Sequence, residues 1–238
     1  MTNIQKYKHC LVKAVAALGA ILALVAPAEA DESRRPNIVY IFSDDHALQA
    51  ITAYGSRYAE HTSTPNIDRL AREGALFRQS FCANSICGPS RASVLTGKHS
   101  HKNGFIDNSS RFDADQPTFP KYLQQAGYQT ALMGKWHLHT TPTGFDHFEI
   151  LPGQGSYVNP DFIQMDGSTK RYEGYVTDII TDKSIAWLEN QRDTSKPFLL
   201  MSQHKAPHRN WMPAPRHYQL FHGVELPEPE TLFDDYSR

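Results

Sequence analysis

Cysteine is scarce in this chain of 238 residues, with three in all, at positions 10, 82 and 87. That scarcity excludes a small fold stapled by several disulfides. A basic tract and an acidic tail are also missing: 24 Lys and Arg face 25 Asp and Glu, for a formal charge of −1. Such a balance leaves no electrostatic footprint for nucleic acid. No apolar run reaches the roughly 20 residues needed to cross a bilayer as a helix, and no internal repeat or low-complexity tract interrupts the chain. What remains is the composition of a globular protein with an ordinary apolar fraction.

Residues 1–30 stand apart. Lys6, Lys8 and Lys13 precede the run AVAALGAILALVA, and Ala28-Glu29-Ala30 provides the small-x-small pattern of a signal-peptidase site. The segment reads as a cleaved export signal, which leaves residues 31–238 as the mature part, periplasmic or secreted, with no stable membrane anchor. Cleavage removes three Lys and one Glu and makes the remainder mildly acidic. It also removes Cys10, so that an oxidising compartment, judged on cysteine count alone, favours a disulfide between Cys82 and Cys87.

Further on, helix and strand patterns alternate. PNIVYIFSDDH begins with a β-branched apolar run, Ile38 to Phe42, which predicts a strand buried on both faces. STPNIDRLAREGALF predicts a helix with Thr64 as N-cap, Pro65 in the first turn, Ile67, Leu70 and Ala71 on one face and Gly74 as stop. A strand is expected over Ala75 to Phe81. The scheme repeats as a helix from Thr118 to Ala126, a stop at Gly127 and a strand from Tyr128 to Met133. It repeats again as a helical stretch holding Ile179, Ile180, Ile185, Trp187 and Leu188, then a strand from Phe198 to Met201. The order predicts an α/β fold, a largely parallel sheet sandwiched by helices. The connection TTPTGFDHFEILPGQGSYVNPDF is aromatic, rich in Gly and Pro and aperiodic, the character of an ordered loop at a pocket rim.

Ligands of an open α/β sheet sit beyond the carboxyl ends of its strands. The polar residues found there are Asp44, Asp45 and His46 after the first strand, Lys135 and His137 after the third, and His204, Lys205 and His208 after the last, with Cys87 and Arg91 at a helix start between. Two adjacent carboxylates share one ion only where the strand has ended and the backbone turns. A hard divalent cation suits them, calcium first and magnesium second; the plain alternative is a solvated turn. In GKWH, Lys135 and His137 share one side of an extended segment while Trp136 packs the other way. His139 would share that side and is read as a surface residue. Pro89 suits a first helical turn, which places Cys87 at or just before the N-cap and Arg91 one turn on, facing it. Helix-start N–H groups beside Arg91 suit a tetrahedral oxyanion. A buried structural cysteine beside a surface arginine is the plain alternative here.

CGPSRASVLTG resembles the signature of the formylglycine-dependent sulfatases, in which Cys-x-Pro-Ser-Arg is followed by Leu-Thr-Gly. PNIVYIFSDDH, TPNIDRLAREGALF, AGYQTALMGKWHL and APH look like further sulfatase segments in the family's order, from Pro36 to Pro215. The resemblance implies an alkaline-phosphatase-like fold. It implies that Cys87 is oxidised to Cα-formylglycine by a formylglycine-generating or radical maturase, with Pro89 and Arg91 in the recognition signal. A hydrated aldehyde has a second hydroxyl whose deprotonation expels sulfate, which an ordinary alcohol lacks. The same chemistry argues against a Cys82–Cys87 disulfide. By the resemblance, Asp44, Asp45 and residue 87 bind calcium, and Arg91 stabilises the hydrated aldehyde. Lys135 holds a sulfate oxygen, His137 takes the proton as bound sulfate leaves, and His208 assists the leaving alcohol, with His204 as runner-up.

HKAPHRNWMP and the aromatic loop look most like sulfatases that remove the 6-O-sulfate of N-acetylglucosamine in mucins or glycosaminoglycans, so the expected substrate is a sulfated glycan. Arylsulfatase and other glycan sulfatase assignments stay open, because loops set the substrate. The family's second acidic metal pair, a later lysine and a smaller C-terminal subdomain are not found before Arg238, so the chain reads as truncated and inactive alone. Asp234 and Asp235 lack a preceding apolar strand and read as surface residues. Two rivals remain: a metal-dependent phosphatase or phosphonate hydrolase of the same superfamily, against which the intact Cys-x-Pro-Ser-Arg argues, and a remnant that binds anionic glycans without turnover.

Overall fold

The computed structural model describes residues 35–235; the expected export signal lies outside them. The chain divides into Met1–Pro36 and Asn37–Arg238, and the architecture is that of the second unit. Among the described residues no helix is long and apolar enough to cross a membrane.

Six strands form one sheet: β1 (Ile38–Phe42), β2 (Gln129–Lys135), β3 (His147–Leu151), β4 (Asp161–Ile163), β5 (Thr169–Arg171) and β6 (Phe198–Gln203). Their order is β1-β6-β2-β3-β4-β5. The first four of these run parallel, and β4 and β5 extend the sheet antiparallel. Strand β6 lies between β1 and β2, aligning Phe42 with Gln203 and Gly134 with Gln203. Every residue of β6 is buried, as its unbroken apolar start requires of a central parallel strand.

Alternation along the strands divides the core in two. Leu132, Leu199 and Met201 face a layer containing Ala92 and Leu95 of α2 (Cys87–Thr96), Phe105, Phe112 and Trp136, with Phe119 and Leu123 of α4 (Phe119–Gln125) against it. Ala131, Met133, Phe198 and Leu200 face Val176 and Ile180 of α5 (Val176–Ala186) and Trp187, in the single π turn that prolongs it. Helices thus cover both faces, as expected. The remaining helices are α1 (Pro65–Glu73) and the one-turn α3 (Ser100–Asn103). Thr64, Thr118, Gly74 and Gly97 flank the helices they bound.

Five expectations change. The connection expected to be an aperiodic loop holds β3 and the start of β4, since apolar residues such as Phe148 and Ile150 pack into the core beside β2. No strand forms over Ala75–Phe81, where Phe77 and Phe81 are 72% and 88% exposed; β propensity does not make a strand without a neighbouring edge and a surface to cover. Strand β1 is an edge strand half-buried on one face only, with Val39 and Ile41 exposed, because α5 covers β2 and β6 instead. Strands β2 and β6 each run two residues past their expected ends, so Lys135 closes β2 rather than following it. Cys87 is the first residue inside α2, with Ile86 as N-cap.

Gly134 lets β2 pack against its neighbour. Its φ is +102°, and a Cβ there would sit 2.1 Å from the Gln203 carbonyl oxygen. The obstacle is the backbone of the central strand, which cannot step aside. Gly134→Ala is expected to lower unfolding free energy by about 3 kcal/mol or more, measured by urea titration; a loss under about 1 kcal/mol would show that the strands separate freely there.

Candidate active site

The carboxyl ends of β1, β2 and β6 open on the same edge of the sheet, and the first turn of α2 meets them there. β1 ends at Phe42, and the chain turns at once. Asp45 lies at φ +62°, in the left-handed region, at a cost of about 1–3 kcal/mol that tertiary contacts must offset. The Asp44 N–H donates to the Ala206 carbonyl at 3.1 Å, tying this turn to the segment after β6. Asp44 is buried, whereas the Asp45 side chain is 61% exposed and lies 3.8 Å from His208 Nε2.

Asp44 is the electrostatic centre. Its carboxylate accepts directly from Lys135 Nζ and stands 3.6 Å from Arg91 Nη2. Lys135 is fully buried and also donates to Gln154 Oε1 at 2.6 Å. Burial holds its ammonium below the ordinary lysine value and Arg91 adds to that, while Asp44 opposes. Arg91, 2% exposed, donates to the Lys135 carbonyl at 2.6 Å and to Gln203 Oε1 at 2.5 Å, with its guanidinium 5.1 Å from the Phe42 ring centroid. A planar fork anchored from four directions is held in one orientation.

Cys87 is half-buried at the start of α2, and its Sγ accepts from Asn108 Nδ2 at 3.2 Å. Cys82 and Cys87 are both free thiols, so the disulfide suggested by cysteine count does not form. The thiol of Cys82 instead reaches the Asn84 carbonyl and Ser90 Oγ.

The GKWH segment differs from a simple extended pair. Trp136 packs into the core as expected, but His137 is left-handed at φ +54°, so alternation does not by itself set where its ring points. His137 is buried, with no hydrogen-bond partner at Nδ1. Burial above all, and then Lys135, His139 and Arg91, bring its pKa down to about 4, so the ring is neutral near pH 7 and able to accept a proton. His139 is exposed, as expected, and touches the Asn108 carbonyl through Nε2.

After β6, the two histidines separate. His208 is buried, its Nδ1 lies 2.6 Å from the Arg209 carbonyl, and its Nε2 faces Asp45. The ring of His204 points to Ser202 Oγ at 3.4 Å, away from the acidic pair, and burial lowers its pKa. Lys205 is buried, with Nζ 4.7 Å from the Tyr157 ring centroid, and the Tyr157 hydroxyl donates to the His208 carbonyl. The long aromatic connection thus delivers Gln154 and Tyr157 to the site. It also borders a cavity of about 540 Å³ beside His137, lined among others by Arg111, His139, Gln164 and Asp166. Four residues in these contacts were not singled out by sequence: Asn108, Gln154, Tyr157 and Gln203. Their amide and hydroxyl side chains occur on every surface, and only the loop's composition pointed toward two of them.

Asp44, Asp45 and Gln203 supply oxygen donors of the kind a hard cation takes. In number they fall short, because among the described residues no three His, Cys, Asp or Glu side chains gather at metal-binding distance. The charge on Asp44 is matched by Lys135 and Arg91 instead. Removing it leaves two buried cations without their carboxylate. Asp44→Asn is expected to destabilise the protein by about 3–5 kcal/mol in chemical unfolding, and an unchanged midpoint would mean that solvent already screens the cluster.

Comparison with known proteins agrees with this geometry. The sulfatase family model matches residues 36–231. An N-acetylglucosamine-6-O-sulfatase of Bacteroides thetaiotaomicron is 55% identical over 219 residues, 91% of this chain and 38% of that protein. An ulvan-active sulfatase of Formosa agariphila is 30% identical, over 85% of this chain and 40% of its own length. A solved structure of an enzyme in complex with its substrate D-glucosamine-2-N,6-O-disulfate superposes with a TM-score of 0.82 at 56% identity, covering 85% of this chain and 41% of that one. The chain therefore spans about two fifths of the length of these relatives. With the Cys-x-Pro-Ser-Arg start of α2 set beside Asp44, Lys135 and His137, and with a family match across nearly all the described residues, the chain belongs to the sulfatase family.

Proposed function

We propose that the protein is an exported sulfuric ester hydrolase that removes the 6-O-sulfate of an N-acetylglucosamine-type sugar in a sulfated glycan. The observation that carries this reading is the convergence of Cys87 and Arg91 with Asp44, Lys135 and His137 at one sheet edge, where the family signature opens onto buried positive charge. The substrate class follows from similarity to the N-acetylglucosamine-6-O-sulfatase and to the enzyme bound to glucosamine disulfate.

A sulfate monoester brings negative charge that develops further on the oxygens in the transition state. Lys135 and Arg91 stand ready for it as buried cations whose positions are already set by Gln154, Gln203 and the β2 carbonyl. Residue 87, once oxidised to formylglycine by a maturase, supplies in its hydrate one hydroxyl for attack and a second whose deprotonation releases sulfate. His137, neutral and buried with a free Nδ1, takes that proton. The Arg209 carbonyl holds the proton on His208 Nδ1, leaving Nε2 to exchange one with the leaving alcohol. Asp44, Asp45 and residue 87 would supply part of the shell of a calcium ion, with magnesium second, and such an ion would polarise sulfate oxygens and lower the pKa of a nearby hydroxyl.

Maturation tests the reading first. Co-expression of the full-length protein with a formylglycine-generating enzyme is expected to yield, by peptide mass spectrometry, the aldehyde and its hydrate at position 87; an unmodified thiol beside an active maturase refutes the proposal. In the matured protein, Lys135→Ala is expected to lower kcat/KM on N-acetylglucosamine 6-sulfate by about 10²-fold or more, the scale of one lost oxyanion contact. Near-parental rates would remove Lys135 from the mechanism. Calorimetry checks the cation separately: the 238-residue chain is expected to bind calcium with Kd weaker than about 1 mM, and tight binding abolished by Asp45→Asn would show a complete site.

A further inference from the structure

The contacts of Asn108 go beyond loop structure. Its carboxamide meets the first turn of α2 from a loop twenty residues away in sequence. Oδ1 accepts the Gly88 N–H at 3.0 Å, and Nδ2 donates to Cys87 Sγ at 3.2 Å. The N-cap residue of this helix, Ile86, has no side chain able to cap it. An orphan N–H of the first turn is thus satisfied by Asn108, which at the same time touches the side chain expected to carry the nucleophile.

The backbone that carries the carboxamide is held in place from both sides. Asp107 Oδ1 accepts from the N–H and hydroxyl groups of Ser109 and Ser110 at 2.7–3.0 Å, closing a tight turn around Asn108. The Asn108 carbonyl is met by His139 Nε2 at 2.8 Å. Phe105, fully buried, fastens the loop to the core just before that turn. Space is reserved for this approach, since a Cβ on Gly88 would lie 2.6 Å from Phe105 Cε1 and 2.8 Å from Asn108 Oδ1. The glycine in Cys-Gly-Pro-Ser-Arg is therefore required by Asn108 and its loop.

We propose that Asn108 is a positioning residue for residue 87. Its Oδ1 fixes the first turn of α2, and its Nδ2–H holds the side chain at 87 in the rotamer that faces Asp44, Lys135 and Arg91. The proposal rests on the catalytic reading of residue 87, and in the matured protein the same N–H donates to an oxygen on the Cβ of that residue. Preorganised donors of this kind act without reorganising as charge develops.

Two substitutions separate the donor from the cap. Asn108→Asp keeps an acceptor for the Gly88 N–H and loses the donor; Asn108→Ala loses both. With full-length matured protein and N-acetylglucosamine 6-sulfate, both variants are expected to be converted at position 87 as the parent is. Both are expected to lose about tenfold or more in kcat with KM within about twofold, whereas only Asn108→Ala lowers the melting temperature. A parental kcat in Asn108→Asp overturns the proposal and leaves the sulfatase reading intact. If the parent is neither converted nor active, that reading fails on its own, and the unmatured protein decides the role of Asn108. There, iodoacetamide is expected to alkylate Cys87 about fivefold or more faster in Asn108→Ala than in the parent, with exposed Cys82 as internal control; an unchanged ratio overturns the proposal.

Discussion

Strand β6 paired in parallel between β1 and β2 is the constraint on which the rest depends. It brings three chain segments, 92 and 69 residues apart in sequence, to one edge of the sheet, with their carboxyl ends aligned at Phe42, Gly134 and Gln203. The pairing requires the strands to approach without a Cβ at Gly134. Once it forms, Asp44, Lys135 and Gln203 meet without further instruction, and Arg91 enters from α2 to bind all three elements together.

That meeting is electrostatically demanding. Two buried cations and one buried carboxylate leave net positive charge in a site shielded from water, where an isolated charge is costly. The arrangement is tolerable because each cation finds acceptors, Asp44 and Gln154 for Lys135 and Gln203 and a strand carbonyl for Arg91, although Arg91 Nε is left without one. It is also what an anionic group needs on arrival. The left-handed backbone at Asp45 and His137 adds strain at the same edge, and the structure around it holds both residues there.

One particular marks this sheet edge: the start of α2 carries a free thiol, unpaired with Cys82 and hydrogen-bonded by the Asn108 amide. The aromatic connection between β2 and α5 sends Gln154 and Tyr157 inward and lines the cavity beside His137, so in the proposed reading it would meet the part of a substrate beyond its sulfate.

By itself the sequence determined strands β1, β2 and β6, the bounds of α1 and α4, the two-faced cover of the sheet and the signature at the start of α2. Each of these is written in local terms, as periodicity, caps and a contiguous motif. It also named Asp44, Asp45, His46, Cys87, Arg91, Lys135, His137, His204, Lys205 and His208 as one set. Only the tertiary structure decided that Lys135 closes β2, that His137 is left-handed and that His208 turns to Asp45 while His204 turns to Ser202. It alone left Val39, Ile41 and Phe81 uncovered, because whether an apolar residue is buried depends on what packs against it. Asn108, Gln154 and Gln203 were illegible for a related reason: an amide carries no pattern along the chain and acquires a role only from the atoms that folding sets within 3 Å of it.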